Sequence, residues 1–176
     1  MKLEVFHGSS KFDRRDGYTG GKPGRQMMGF GLYCTNSYRW AELYGRRTYM
    51  LTLDLNPEQA AHNVNIPAIH FLEWIRVNCT KKFFDLCWKE WQFRDELNVE
   101  RVELFMINNI RSVTKLAKPF AEFVAAWDCT HAVEVGGEYG GRCVRLYDFS
   151  VICDAEPTKY FDDTIFPREL ERHYHF

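Results

Sequence analysis

Three short stretches near the start of the chain carry residues suited to chemistry. They are His7-Gly8-Ser9-Ser10, the run Gly29-Phe30-Gly31-Leu32-Tyr33-Cys34-Thr35-Asn36-Ser37, and Ala41-Glu42-Leu43-Tyr44. The imidazole of His7 exchanges hydrogen bonds with hydroxyls near neutral pH. Glycine at positions 8, 29 and 31 lets a ligand or a second stretch of backbone approach closely. Tyr33 and Tyr44 stand eleven residues apart, and two rings carried on a strand–turn–helix unit can flank a flat group. The chain holds 14 Phe, 9 Tyr and 5 Trp, a load that serves either a ring-rich core or a stacking site. Charge points to the same region: residues 1–50 hold nine Lys/Arg against four Asp/Glu, and residues 51–176 hold fourteen against twenty. An anionic ligand of limited size would therefore prefer the first third.

The elements that must position these residues follow from pattern. Residues 2–6 alternate, with Leu3 and Val5 on one face, and predict a strand that ends at His7. Residues 9–29, with Gly17, Gly20, Gly21 and Gly24, predict a loop long enough to be functional. Residues 31–35 predict a short strand, Ser37 a helix N-cap, residues 38–44 two helical turns, and Gly45 their stop. Residues 48–55 predict a strand with Tyr49, Leu51, Leu53 and Leu55 on one face.

The middle of the chain is helical. Asn65 predicts a cap with Pro67 in the first turn, followed by Ile69, Leu72 and Ile75 at helical spacing. Residues 81–93 carry Phe84, Cys87, Trp88 and Trp91; residues 102–116 carry Phe105, Asn109, Ile110, Val113 and Leu116; Pro119 opens a last helix to residue 127. These stripes read as core packing. Residues 131–135 and 143–152 predict strands on either side of a glycine-flanked turn at 136–141. In the second strand Val144, Leu146, Asp148 and Ser150 share one face, and Cys143, Arg145, Tyr147, Phe149 and Val151 the other. The tail from Asp154, with six acidic and three basic residues, is expected to wrap the surface. The order predicts a single α+β domain over residues 1–176.

Taken jointly, the three stretches resemble the NAD-binding half of the ADP-ribosyltransferase superfamily, in its His-Tyr-Glu branch of diphtheria-type toxins and poly(ADP-ribose) polymerases. The branch has an H-G-S element at its first strand, a G-x-G-[IL]-Y motif, and a second Tyr eleven residues after the first, as Tyr44 follows Tyr33 here. The resemblance covers residues 5–45 and is loose beyond them. It implies an ADP-ribosyltransferase-like split β-sheet with a helical insertion in the middle of the chain. Residues 1–55 would be the NAD-binding half, 65–127 the helical segment, 131–153 the C-terminal strand pair and 154–176 the tail. It implies a mono-ADP-ribosyltransferase of small bacterial or phage type, toxin- or effector-like. Such an enzyme cleaves NAD at the nicotinamide–ribose bond and passes ADP-ribose to a macromolecular acceptor, with protein favoured over nucleic acid.

In that reading His7 donates to a ribose hydroxyl on the adenosine side, and the backbone of Gly8 meets the nicotinamide carboxamide. Ser9 and Gly31 line the site, Tyr33 and Tyr44 sandwich the nicotinamide, and Lys22 and Arg25 hold the pyrophosphate. NAD is the co-substrate and no metal is required. The reaction also needs a carboxylate to stabilise the oxocarbenium-like transition state. The family places a Glu at the start of a late strand, and aligning Tyr147-Asp148 with that strand puts Cys143 there, a departure. Glu138 in the glycine-rich turn is the first candidate, Glu134 the second and Asp148 the third. The readings that compete with the transferase are an NAD glycohydrolase and a catalytically lost module that binds NAD, ADP-ribose or a protein.

The remaining composition sets bounds. A net charge of −1 argues against a general nucleic-acid binder. The six cysteines form no C-x-x-C pair and no zinc spacing, so free, buried thiols in a reducing cytoplasm are expected. Met1 to Phe6 runs directly into His7 without a signal-like segment, and no apolar run approaches the ~20 residues of a membrane span.

Overall fold

A computed structural model describes residues 1–9, 30–43, 47–111, 114–135 and 142–158. In chain order its elements are β1 (Lys2–Ser9), β2 (Leu32–Thr35), α1 (Tyr38–Glu42), β3 (Arg47–Asp54), β4 (Asn65–Pro67), α2 (Ala68–Asn78), α3 (Lys81–Trp91), β5 (Glu96–Asn98), α4 (Val99–Asn109), α5 (Ala117–Ala125), β6 (His131–Val135), β7 (Arg142–Leu146) and β8 (Ile152–Thr158). Short 3-10 turns stand at Pro57–Gln59, Thr114–Leu116 and Phe149–Val151. Six strands form an antiparallel sheet in the order β6-β7-β2-β1-β3-β8, and β4 pairs with β5 in a small second sheet. The class is α+β, as the sequence pattern predicts.

Alternation builds the sheet. Leu3 and Val5 on β1, Leu51 and Leu53 on β3, Leu32 and Cys34 on β2, and Val144 and Leu146 on β7 are buried in one cluster. A second cluster joins the helices, through Phe71, Ile75, Val102, Met106, Phe120 and Val124, to Phe30 ahead of β2 and Tyr147 after β7. The helical layer thus packs where β2 begins and β7 ends.

Several boundaries differ from the sequence pattern for local reasons. β1 does not end at His7 but continues through Ser9, because Gly8 and Ser9 go on pairing with Thr48 and Arg47 of β3. The strand expected over 143–152 breaks after Leu146: Asp148 accepts from the Ser150 N–H at 2.8 Å and caps a 3-10 turn. The chain then pairs again, as β8 along the outer side of β3, so residues 154–158 belong to an edge strand rather than a surface wrap.

The helical segment is also re-cut. Asn65 sits in β4 opposite Asn98, and α2 starts after Pro67. Asn98 caps α4 by accepting from the Arg101 N–H at 3.3 Å, and its amide donates to the His62 carbonyl at 3.0 Å. That cap starts α4 three residues before the expected 102, and the helix stops at Asn109. Its buried face is Val99, Val102, Glu103 and Met106, whereas Asn109 turns outward and its amide donates to the Phe105 carbonyl at 2.8 Å. On α3 the buried residues are Phe83 and Cys87, and Trp88 lies 43% exposed. Pro119 falls inside the first turn of α5 rather than opening it. Cys34, Cys87 and Cys129 are buried thiols, but Cys153 is exposed.

His131, at the start of β6, is fully buried, with Thr130 Oγ1 2.9 Å from its Nδ1. Burial first, and the charge of His62 second, lower its pKa to about 4. The folded pKa lies below the unfolded value near 6.5, so between those pH values the unfolded chain holds the extra proton and stability falls with falling pH. Denaturant unfolding of the wild type and His131→Gln at pH 7 and pH 4.5 should show the wild type losing about 2–3 kcal/mol more than the variant. Equal losses would mean that His131 does not couple folding to pH.

Candidate functional site

The first two motifs meet at the seam between β1 and β2. All eight residues of β1 pair with β3, whereas the registered pair between β1 and β2 is Phe6 with Thr35. Beyond that pair, His7 Nδ1 lies 2.7 Å from the Tyr33 carbonyl oxygen. A carbonyl only accepts, so Nδ1 carries the proton and donates. Burial holds the His7 pKa below its ordinary value, partly offset by that hydrogen bond. The ring is therefore neutral at pH 7, with its lone pair at Nε2. A hydroxyl approaching Nε2 would donate to His7. The sequence reading has His7 donating to such a hydroxyl; with Nδ1 committed to the Tyr33 carbonyl, the same contact would run from the hydroxyl to Nε2.

Strand alternation assigns the side chains to faces. His7 shares the parity of Leu3 and Val5, and Tyr33 that of Thr35, the partner of Phe6. The two side chains belong to opposite faces, and it is the Tyr33 backbone that His7 grips. On the Phe6 face lies α1. The rings of Phe6 and Tyr38 meet edge-on, with centroids 5.8 Å apart. A Cβ on Gly8 would overlap the carbonyl oxygen of Ala41 outright. The absence of a side chain at Gly8 is thus used by α1, which packs backbone against backbone. The same packing brings α1, the helix that leads to Tyr44, onto the face that carries Tyr33.

Gly31 is required where β2 begins. Its φ is +116°, and an added Cβ would stand 2.8 Å from the Leu146 carbonyl oxygen. Beside it lies a group of residues that pattern reading passed over. Glu103 of α4, 1% exposed, accepts from the Arg145 guanidinium, from the Phe30 N–H and from the Tyr147 hydroxyl, the last at 2.6 Å. Arg145 Nη1 also lies 3.3 Å from the Phe30 carbonyl oxygen. Burial raises the Glu103 carboxyl above its ordinary value, against the opposing pull of Arg145, Tyr147 and the Phe30 amide. All of these partners donate, which matches the ionised carboxylate. A signal was present in the sequence: Glu103 interrupts the apolar stripe Val99, Val102, Met106, and Arg145 lies between Val144 and Leu146.

The other expected site residues divide as follows. Ser9 is buried at the end of β1. Tyr44, Lys22, Arg25 and Glu138, with the turn at 136–141 and Gly45, lie outside the described residues. Glu134 pairs by backbone register with Cys143, which pairs in turn with Thr35 of β2. Asp148 is a cap: Ser150 donates to it through both N–H and Oγ at 2.8 Å. Among the described residues no group of three His, Cys, Asp or Glu is placed to hold a metal ion, and no helix is long and apolar enough to cross a membrane.

Fold and site together define an α+β protein with a mainly antiparallel sheet, whose first two motifs are joined at the β1–β2 seam. No family model, curated protein or solved structure matches the chain.

The seam yields a contrast between neighbours. Gly8→Ala forces α1 off the sheet and should cost about 3 kcal/mol, the upper part of the usual range for overpacking. His7→Ala gives up one hydrogen bond and should cost about 1 kcal/mol. Denaturant unfolding of both variants checks the difference; a cheaper Gly8→Ala would mean that α1 is not seated on β1 as described.

Proposed function

We propose that the protein is an NAD-dependent mono-ADP-ribosyltransferase acting on a protein acceptor. The observation that supports this reading most is the β1–β2 seam. There a neutral imidazole is hydrogen-bonded to the backbone of the G-x-G-[IL]-Y motif, and the helix before Tyr44 is packed on the face of Tyr33. In this reading Nε2 of His7 accepts from a hydroxyl of the adenosine-side ribose, and the backbone edge of Gly8 meets the carboxamide. Tyr33 and Tyr44 flank the nicotinamide on the Phe6 face, the dinucleotide crossing from the His7 face at the end of the seam beyond the Phe6–Thr35 pair, and Lys22 and Arg25 neutralise the pyrophosphate. The glycosidic C–N bond breaks, nicotinamide leaves neutral with the bonding electron pair, and a nucleophile of the acceptor attacks the ribosyl carbon and loses its proton.

The carboxylate that stabilises the developing positive charge is either Glu134 or Glu138. Register favours Glu134, because its backbone lies directly across from Cys143, where the family's Glu is expected. A binding module that has lost catalysis is the second reading, favoured by the thiol of Cys143 at that same strand-start position.

The test is release of nicotinamide from NAD by the purified protein, measured with NAD affinity for the wild type, Glu134→Gln and Glu138→Gln. A transferase should release nicotinamide, and loss of the catalytic carboxylate should lower turnover by roughly 10²–10³ while affinity changes little. Release that never leaves ADP-ribose on a protein indicates glycohydrolase activity. Binding without release indicates the module, and absence of binding removes the NAD reading altogether.

A further inference from the structure

We propose that Glu103 is a positioning residue: from the helical layer it sets the start of β2, and through it the geometry of the His7–Tyr33 contact. The claim itself rests on the contacts alone; its meaning for turnover rests on the NAD reading above.

Glu103 is reached by three donors from two places that are distant in the chain. The Phe30 amide comes from the segment ahead of β2, the Arg145 guanidinium from β7, and the Tyr147 hydroxyl from the residue just after β7. Arg145 completes a loop of contacts by donating to the Phe30 carbonyl at 3.3 Å. The Phe30 peptide is thus held by its N–H through a carboxylate and by its C=O through a guanidinium. The Phe30 ring is fully buried, 4.6 Å from the Phe120 ring of α5 between centroids. Backbone and side chain of Phe30 are both anchored to helices, one residue before Gly31 turns the chain and three before Tyr33.

A core contact alone would not need this arrangement. Phe30 is already held by its ring, and an apolar residue at position 103 would continue the stripe of Val99, Val102 and Met106. A buried ion pair is weak evidence for stability, since well-packed apolar replacements of both partners are often neutral or stabilising. What such a pair supplies is direction. Two charged groups and a phenol permit one placement of the Phe30 peptide, whereas an apolar pocket tolerates small slides. A slide here is transmitted along the strand, because β2 is registered on β7 from Leu32 to Thr35. The Tyr33 carbonyl would then leave the line of His7 Nδ1, and the imidazole would lose the partner that selects its tautomer.

The experiment replaces the pair without stranding a charge: Glu103→Met together with Arg145→Met. The readouts are the nitrogen NMR shifts of the His7 imidazole at a fixed pH of 7.5, exchange of the Phe30 amide, and the melting temperature. In the wild type His7 should be mainly the Nδ1–H tautomer, and the Phe30 amide should exchange at least 100-fold more slowly than an unprotected amide. In the double variant the melting temperature should fall, because the Phe30 amide and the Tyr147 hydroxyl lose their acceptor, His7 should move towards Nε2–H, and the Phe30 amide should exchange at least tenfold faster. As a control, Val124→Ala opens the same helical core without touching the network; it should lower the melting temperature and leave the His7 signature in place.

A folded double variant with a wild-type His7 signature overturns the proposal. So does a shift of His7 in the control equal to that in the double variant, which would reduce Glu103 to ordinary core. If the double variant does not fold, the wild type decides: an unprotected Phe30 amide, or a His7 that is mainly Nε2–H, overturns it. None of these measurements involves NAD, so failure of the NAD reading in the nicotinamide-release assay leaves this result separate and interpretable.

Discussion

The carboxylate of Glu103, buried on α4, is the point at which the helical layer and the sheet are tied to one another. Its surroundings cannot solvate a charge as water does, so the charge is tolerated only because Arg145, Tyr147 and the Phe30 amide direct donors at it. The donors come from two parts of the chain far apart in sequence, around Phe30 and around Arg145, and satisfying the carboxylate therefore requires α4, β7 and the entry to β2 to be in place together. Removing Glu103 or Arg145 alone would leave an unmatched charge in the core, a loss of about 3–5 kcal/mol. That dependence makes the network a cooperative unit rather than a sum of contacts.

Downstream of this tie, two glycines decide how closely backbones approach. At Gly31 the chain takes a positive φ against the Leu146 carbonyl, which lets β2 leave Phe30 and join β7. At Gly8 the helix α1 presses its own backbone onto β1. Each glycine has a fold-level reason to be where it is, independent of any ligand. The His7–Tyr33 hydrogen bond lies between these two close approaches, so its geometry is inherited from both. Burial keeps His7 neutral and its partner chooses the tautomer. The fold thereby determines whether the imidazole offers a proton or a lone pair at Nε2.

The proposed chemistry draws on a division of labour visible in the chain. The first third carries the net positive charge and the seam, and the rest carries most of the hydrophobic support and the acidic surplus. In the proposed reading that charge balance would draw an anionic co-substrate to the first third of the chain.

The sequence by itself determined the class of fold, most strands and the two motifs that meet. Period-two alternation in Leu3 and Val5, and again in Tyr49, Leu51 and Leu53, is a local property that survives into the structure because one face of each strand must be buried. Residues 131–135 were legible for the same reason. What sequence did not reveal depends on partners far along the chain. The extension of β1 to Ser9 needs β3, and β8 needs the free side of β3, so neither is written in its own residues. The start of α4 depends on Asn98, which is occupied both as a cap and as a donor to the chain near His62. The hydrogen-bonding direction of His7 depends on a carbonyl 26 residues away. The role of Glu103 depends on Arg145, 42 residues on. A hydrophobic period can be read from neighbours in sequence, because it reports only which side faces away from water. A hydrogen bond, an ion pair or a backbone contact without a Cβ between requires a named partner at a set distance, and only the tertiary structure supplies that.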